Sequence, residues 1–217
     1  LKTGIESKVM EQKRPINLEN KPLLTYKKGD ALIKKGTPAH HALFLEKGIV
    51  KTIFENPNGK ATIVHILGRG QWAGLLCALE QGYHNFDTIA LTPVQARYVE
   101  SSEIRQLMAH DLNQQNDFIA GTAAAVNNNI RRLIAINHKQ LPGRVADVLL
   151  FFYHFFDRSA TFELPLSREE LAQFAGTTKE SFIRTLTEFK NDKIILLEGK
   201  TVTINSMEIV TTLSRLG

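Results

Sequence analysis

The chain has 217 residues, 43% of them hydrophobic, and a formal net charge of +5, which is enough for one large or two modest domains with cores of their own. No apolar run approaches the roughly 20 residues that cross a bilayer, and the charged amino end is unlike a secretory signal, so a soluble cytoplasmic protein with no membrane partner is expected. The single cysteine, Cys77, excludes an internal disulfide and an iron–sulfur cluster held by four thiolates of this chain.

The chain opens at Leu1 and not at a methionine, which leads us to expect residues upstream. Charge is uneven along it: residues 1–60 carry 12 Lys and Arg against 6 Asp and Glu, while residues 138–200 carry 9 of each sign. Any nucleic-acid reading of the carboxyl half must therefore rest on where charges are placed, not on their sum.

From residue 22 to residue 99, short β-prone runs (42–45, 49–54, 62–67 and 96–99) alternate with glycines. Asn56-Pro57-Asn58-Gly59 predicts a hairpin turn, and Gly29, Gly36, Gly48, Gly68, Gly70 and Gly74 fall at corners. Many short strands at this spacing predict a closed or sandwich-like β domain.

Residues 103–137 contain no proline and one glycine, Gly121, and predict helix. Within them Ile119, Ala123, Val126, Ile130, Leu133 and Asn137 step alternately by four and three, the seam spacing of a two-stranded coiled coil. A helix packed on its own domain is the alternative. Leu141-Pro142-Gly143 then breaks the helix and reads as a hinge, which divides the chain into residues 1–102, 103–140 and 141–217.

From residue 144 the chain turns strongly apolar, and Phe151, Phe152, Tyr153, Phe155 and Phe156 are expected in a core instead of a base-stacking platform. Ser167-Arg168-Glu169-Glu170 is a capping box that starts a short helix. Leu171, Ala172, Phe174 and Ala175 supply its buried face, Gly176 stops it, and Thr177-Thr178-Lys179-Glu180 caps the next helix. On that second helix Phe182, Leu186 and Phe189 form an inward stripe, which leaves Lys179, Glu180, Ile183 and Arg184 outward. Two β-prone runs, 194–196 and 201–204, flank Glu198-Gly199-Lys200 as a wing.

Two capped helices, a tight turn and a wing predict a helix that enters a DNA major groove. Arg184 suits two parallel hydrogen bonds to guanine, Glu180 can accept from the cytosine amino group, and Ile183 suits a thymine methyl. An ordinary solvated helix pair is the bland alternative, and the wing weakens it. A helix-turn-helix reader usually needs a twofold partner, which favours the dimer seam for residues 119–137. A winged helix that grips another protein would need an apolar outward face, which Lys179, Glu180 and Arg184 contradict. No nucleophile with its base, paired carboxylates or metal cluster is present, so no enzyme is expected. His40 and His41 are adjacent and would point to opposite faces of a strand.

This order of parts resembles the cyclic-AMP receptor protein and fumarate-nitrate reduction regulator (CRP/FNR) family. The marks are Lys28-Gly29-Asp30 with Gly36, Phe44-Leu45-Glu46-Lys47-Gly48-Ile49-Val50-Lys51, Leu67-Gly68-Arg69-Gly70-Gln71-Trp72-Ala73-Gly74, Gly143-Arg144-Val145-Ala146, and Ser167 through Leu186. The resemblance implies an α+β fold: a cyclic-nucleotide-binding-like β-roll (a double-stranded β-helix or jelly roll), a long dimerisation helix, and a carboxyl-terminal winged helix-turn-helix. It implies a homodimeric transcription regulator that binds a near-palindromic site in double-stranded DNA and touches RNA polymerase. By the same resemblance Lys179, Glu180 and Arg184 read bases, while Ser167, Arg168, Thr178 and Lys200 hold phosphates.

The family's usual ligand does not carry over. Members that bind cyclic AMP use a glutamate after the glycine matching Gly74, where this chain has Leu75, and an Arg-Ser pair that falls near His84-Asn85 here. A buried phosphate would lose charge-assisted hydrogen bonds worth roughly 1.5 to 3 kcal/mol each. The expected effector pocket is Trp72, Gly74, Leu75, Leu76, His84, Asn85 and Asn129; Trp72, Leu75, Leu76 and Cys77 make this region more apolar than a nucleotide site, which suits a small apolar effector, or none. Haem sensing would draw on His84, His65 or Cys77. Cys77 reads more readily as a small buried hydrophobe than as a redox thiol. No cofactor or metal site is assigned.

Overall fold

A computed structural model of the chain describes residues 18–217 apart from Lys60 and Asp111; residues 1–17 of the expected first domain lie outside these. The chain forms two compact units, and the division between them falls at Asn127 and Asn128, inside a helix.

The first unit opens with a 3-10 turn, Leu18–Asn20, followed by strands β1 (Leu23–Tyr26), β2 (Ala31–Ile33), β3 (His41–Lys47), β4 (Val50–Glu55), β5 (Ala61–Leu67) and β6 (Trp72–Ala73). Helix α1 (Leu75–Glu80), strands β7 (Asp87–Ala90) and β8 (Val94–Glu100), and helices α2 (Ser101–His110) and α3 (Leu112–His138) follow. The strands make two four-stranded sheets, ordered β1-β8-β3-β6 and β2-β7-β4-β5. Leu43 and Leu45 of β3 join Leu32, Val50 and Ala90 of the second sheet in one buried cluster. Ala42 and Phe44 alternate to the other side of β3, where Leu18, Ala78 and Ile104 cover them, so β3 is buried on both faces. The β4–β5 turn is the expected one, closed by Gly59 N–H to the Asn56 carbonyl at 2.9 Å.

Beyond the end of α3, the second unit contains α4 (Leu141–Phe155), β9 (Thr161–Glu163), α5 (Arg168–Phe174), α6 (Lys179–Asn191), β10 (Ile195–Glu198), β11 (Thr201–Ile204) and α7 (Met207–Leu216). Its three strands run in the order β10-β11-β9. Phe152 is fully buried, and the rings of Phe151, Phe155, Phe156, Phe162 and Phe174 surround it. Of the aromatic run Phe152 is core, Phe151, Phe155 and Phe156 are half-buried around it, and Tyr153, also half-buried, meets the His154 ring instead.

Among the described residues helix fills the zone expected to be helical, as α2 and α3. One expectation needs correction. Leu141-Pro142-Gly143 is not an interhelical hinge; it is the first turn of α4, with Gln140 extended as its N-cap. Proline suits that turn because its missing N–H has no partner there anyway. The break is instead at Lys139 and Gln140. No helix among the described residues is long and apolar enough to cross a membrane.

Gly48 has φ +93°, and a Cβ on it would lie 2.4 Å from the Pro93 carbonyl oxygen; Gly59 has φ +77° with open space around it. Gly59→Ala should therefore cost only the left-handed backbone penalty, about 1 to 2 kcal/mol, while Gly48→Ala should cost clearly more. Urea unfolding of the two variants checks the order, and equal costs would contradict the packing at Gly48.

Candidate functional site

The helix-turn-helix is built from local rules. Ser167 Oγ accepts from the Glu170 N–H at 3.2 Å, and the Glu170 carboxylate accepts from the Ser167 N–H at 2.7 Å, a reciprocal cap on α5. Gly176 turns the chain at φ +65°. Thr178 Oγ1 then accepts from the Ser181 N–H at 3.3 Å and caps α6. The turn occupies residues 175–178. Phe182, Leu186 and Phe189 are buried, and Lys179, Glu180, Ile183 and Arg184 are exposed together on the opposite face.

The four residues expected at phosphates differ in their surroundings. Ser167 and Thr178 have their oxygens engaged as caps, although the Ser167 hydroxyl hydrogen is left to donate. Lys200 is exposed in the wing turn. Arg168 is half-buried and donates from Nη2 to the Gly199 carbonyl at 2.6 Å.

On α3, Ile119, Val126, Ile130 and Leu133 are 55%, 45%, 48% and 62% exposed, and Ala123 and Asn137 are exposed with them. Asn137 Nδ2 donates to the Leu133 carbonyl at 2.7 Å. An apolar stripe this exposed is unusual for a helix that packs only on its own chain. Sequence reasoning missed the other face of the same helix. Arg132 lies 4.7 Å over the Phe174 ring, and Ile136 fills the space where Gly176 lacks a side chain, so the end of α3 holds the reader's turn. Arg132, Ala135 and Ile136 stand off the seam at helical spacing, and that spacing was the available signal.

The residues of the expected effector pocket are spread out. Trp72 and Leu75 pack with Leu79 and Met108 against the cluster around Phe44, and Trp72 meets the Phe44 ring edge-on at 5.1 Å. Leu76 points away, half-exposed, and Asn85 is exposed. Gly74 lies against His84: a Cβ there would be 2.8 Å from His84 Cε1. Asn129 belongs to the other unit. Cys77 is half-buried and not buried as expected, because α1 turns Ala78 to the core and leaves Cys77 beside it.

His84 is 2% exposed, its backbone donates to Thr37 and accepts from Gly36, and its Nε2 has no hydrogen-bond partner among the described residues. Its ring meets His41 edge-on at 5.9 Å, and His41 stacks on Tyr98 at 4.5 Å. Among the described residues no three His, Cys, Asp or Glu side chains gather to hold a metal ion.

Residues 23–111 match the family of cyclic nucleotide-binding domains, and residues 143–209 match that of Crp-like helix-turn-helix domains. Over 190 residues the chain is 27% identical to the CRP-like cAMP-activated global transcriptional regulator of Mycobacterium tuberculosis, with 84% of each chain covered. It is 22% identical over 198 residues to the global nitrogen regulator of Synechococcus elongatus, covering 88% of this chain and 87% of that one. Among solved structures it is similar to FixK2 from Bradyrhizobium japonicum, with a TM-score of 0.80 at 20% identity, over 89% of this chain and 96% of that one. The α+β fold expected from the order of parts is the fold of that structure.

The histidines give a prediction whose sign is set by burial. Burial, then the neighbouring charge, lowers the pKa of His84 (beside His41), of His41 (beside His40) and of His154 (beside Arg158) below the ordinary 6.5. The unfolded chain therefore binds more protons in the window below 6.5, and stability is lost as the pH falls through it. The urea midpoint should be lower at about pH 5.5 than at about pH 7.5, and His84→Leu should narrow the gap. Equal midpoints for the parent at both pH values would contradict this.

Proposed function

The chain belongs to the CRP/FNR family of DNA-binding transcription regulators, and on that footing we propose that it works as a homodimer whose two α6 helices enter successive major grooves of a near-palindromic site. The observation that carries the reading is the outward face of α6, where Lys179, Glu180, Ile183 and Arg184 stand exposed together over a buried stripe. A cation with a fork, a carboxylate acceptor and an apolar tip form a set suited to base edges. Ser167, Arg168, Thr178 and Lys200 border that face and hold phosphates.

Pairing along Ile119, Ala123, Val126, Ile130, Leu133 and Asn137 is supported by the exposure of that stripe. An apolar groove of about 400 Å³ beside it, lined by Leu76, Met108, Phe118, Ile119, Ala123 and Val126, extends the same surface. We assign residues 1–102 to sensing, 103–140 to pairing and 141–217 to DNA, with RNA polymerase as the partner at promoters and the cytoplasm as the compartment.

The effector differs from that named for the mycobacterial relative. Leu75 packs into an apolar cluster, where a ribose would need a carboxylate, and His84 is sealed from solvent. An effector of apolar character, acting across the break at Lys139 and Gln140, fits the surroundings of Leu75 better than a cyclic nucleotide held in the usual mode.

Fluorescence anisotropy with the duplex that the protein selects from a random pool tests the reading. Arg184→Ala should cost about 1 to 3 kcal/mol per half-site and relax base choice at one position, and cyclic AMP should leave the parent's affinity unchanged. Unaltered affinity and base choice in Arg184→Ala would overturn the assignment of the reading face, and a strong gain with cyclic AMP would overturn the view of the effector.

A further inference from the structure

The wing turn is held in place from the helix-turn-helix side. It is short, since Glu198 pairs directly with Thr201 and leaves only Gly199 and Lys200 between the strands. Gly199 takes φ +59°, and nothing lies within 4 Å of where its side chain would be, so no packing at Gly199 fixes the turn. Besides the pairing of β10 with β11, two hydrogen bonds hold it. The Leu164 N–H donates to the Lys200 carbonyl at 3.0 Å, and Arg168 Nη2 donates to the Gly199 carbonyl at 2.6 Å.

Arg168 is the first residue of α5, where a cation opposes the helix dipole. Among the described residues it has no carboxylate within ion-pair reach. Neither the helix dipole nor an ion pair therefore accounts for an arginine there. A guanidinium has five N–H donors in a rigid fork, and one of them is engaged by Gly199.

The geometry points to Arg168 as the residue that positions the wing: one arm of its fork holds the Gly199 carbonyl and fixes Lys200 relative to α5, while the other arm is left for a phosphate oxygen. This rests on the DNA-binding reading above and adds to the phosphate role a dependence of one contact on another. The Leu164 bond alone leaves the Gly199 side of the turn unheld, so Lys200 contributes its full share to binding only when Arg168 holds the turn. Arg168 and Lys200 thus act as a unit, and two independent cations would not.

A double-mutant cycle measures this directly. The parent, Arg168→Ala, Lys200→Ala and the double variant are titrated onto the duplex that the parent selects from a random pool, across a range of KCl concentrations. Lys200→Ala should weaken parent binding roughly threefold to tenfold, yet weaken Arg168→Ala less than about twofold. The slope of log affinity on log salt should fall by about one phosphate contact in Lys200→Ala and by about two in Arg168→Ala. Arg168→Lys keeps a long donor for the carbonyl and should restore part of the Lys200 effect, which a generally damaged fold would not do. Equal Lys200 factors in both backgrounds would overturn the proposal and leave Arg168 as a separate phosphate contact. A parent that selects no duplex would overturn the DNA reading, and this inference with it.

Discussion

The rotation of one thirteen-residue helix about its own axis governs what this protein can do. Phe182, Leu186 and Phe189 are buried on α6, and each such side chain is worth roughly 1.5 to 3 kcal/mol out of water. Turning the helix to hide Arg184 would expose all three, a cost comparable to the whole stability of a domain. The outward placement of Lys179, Glu180, Ile183 and Arg184 is therefore fixed by the core beneath them. The start of the helix is held as firmly, because Thr178 caps it and Gly176 takes the left-handed turn with Ile136 packed against its bare Cα.

The same logic explains why the reader was legible in the sequence. Ser167 with Glu170, Gly176, and Thr178 ahead of an apolar stripe are local signals, each resolved within one turn of helix. The strands of the first unit were legible for a similar reason, since β3, β4, β5 and β8 are long enough to show a pattern. Short elements were not. β9 is three residues, Thr161-Phe162-Glu163, and exists because it pairs with β11, a contact some forty residues away. Helix α7 carried a usable signal that was passed over: Ser206 caps it by accepting from the Ile209 N–H. Leu141-Pro142-Gly143 misled because proline both ends helices and begins them; the capping geometry of Gln140 decides between the two.

The first unit shows where sequence reading is weakest. The frame of two sheets carries over to a family whose effectors differ, while the lining is set residue by residue. Leu75 and Leu76 are neighbours in sequence but part company on α1, one packed into the apolar cluster and the other half-exposed beside the groove along α3. Composition had placed them in one pocket. At the far end of α3, Lys139 Nζ lies 2.8 Å from both carboxylate oxygens of Asp147, so an ion pair spans the break into α4.

The pattern of bases that the protein protects tests most directly whether two α6 helices read DNA as a pair. Selection of bound duplexes from a random pool, followed by hydroxyl-radical footprinting on the winner, should yield an inverted repeat with half-site centres about 10 to 10.5 base pairs apart and protection on one face of the duplex. A single unrepeated half-site, or binding to every sequence with equal strength, would contradict paired α6 helices as the reading head.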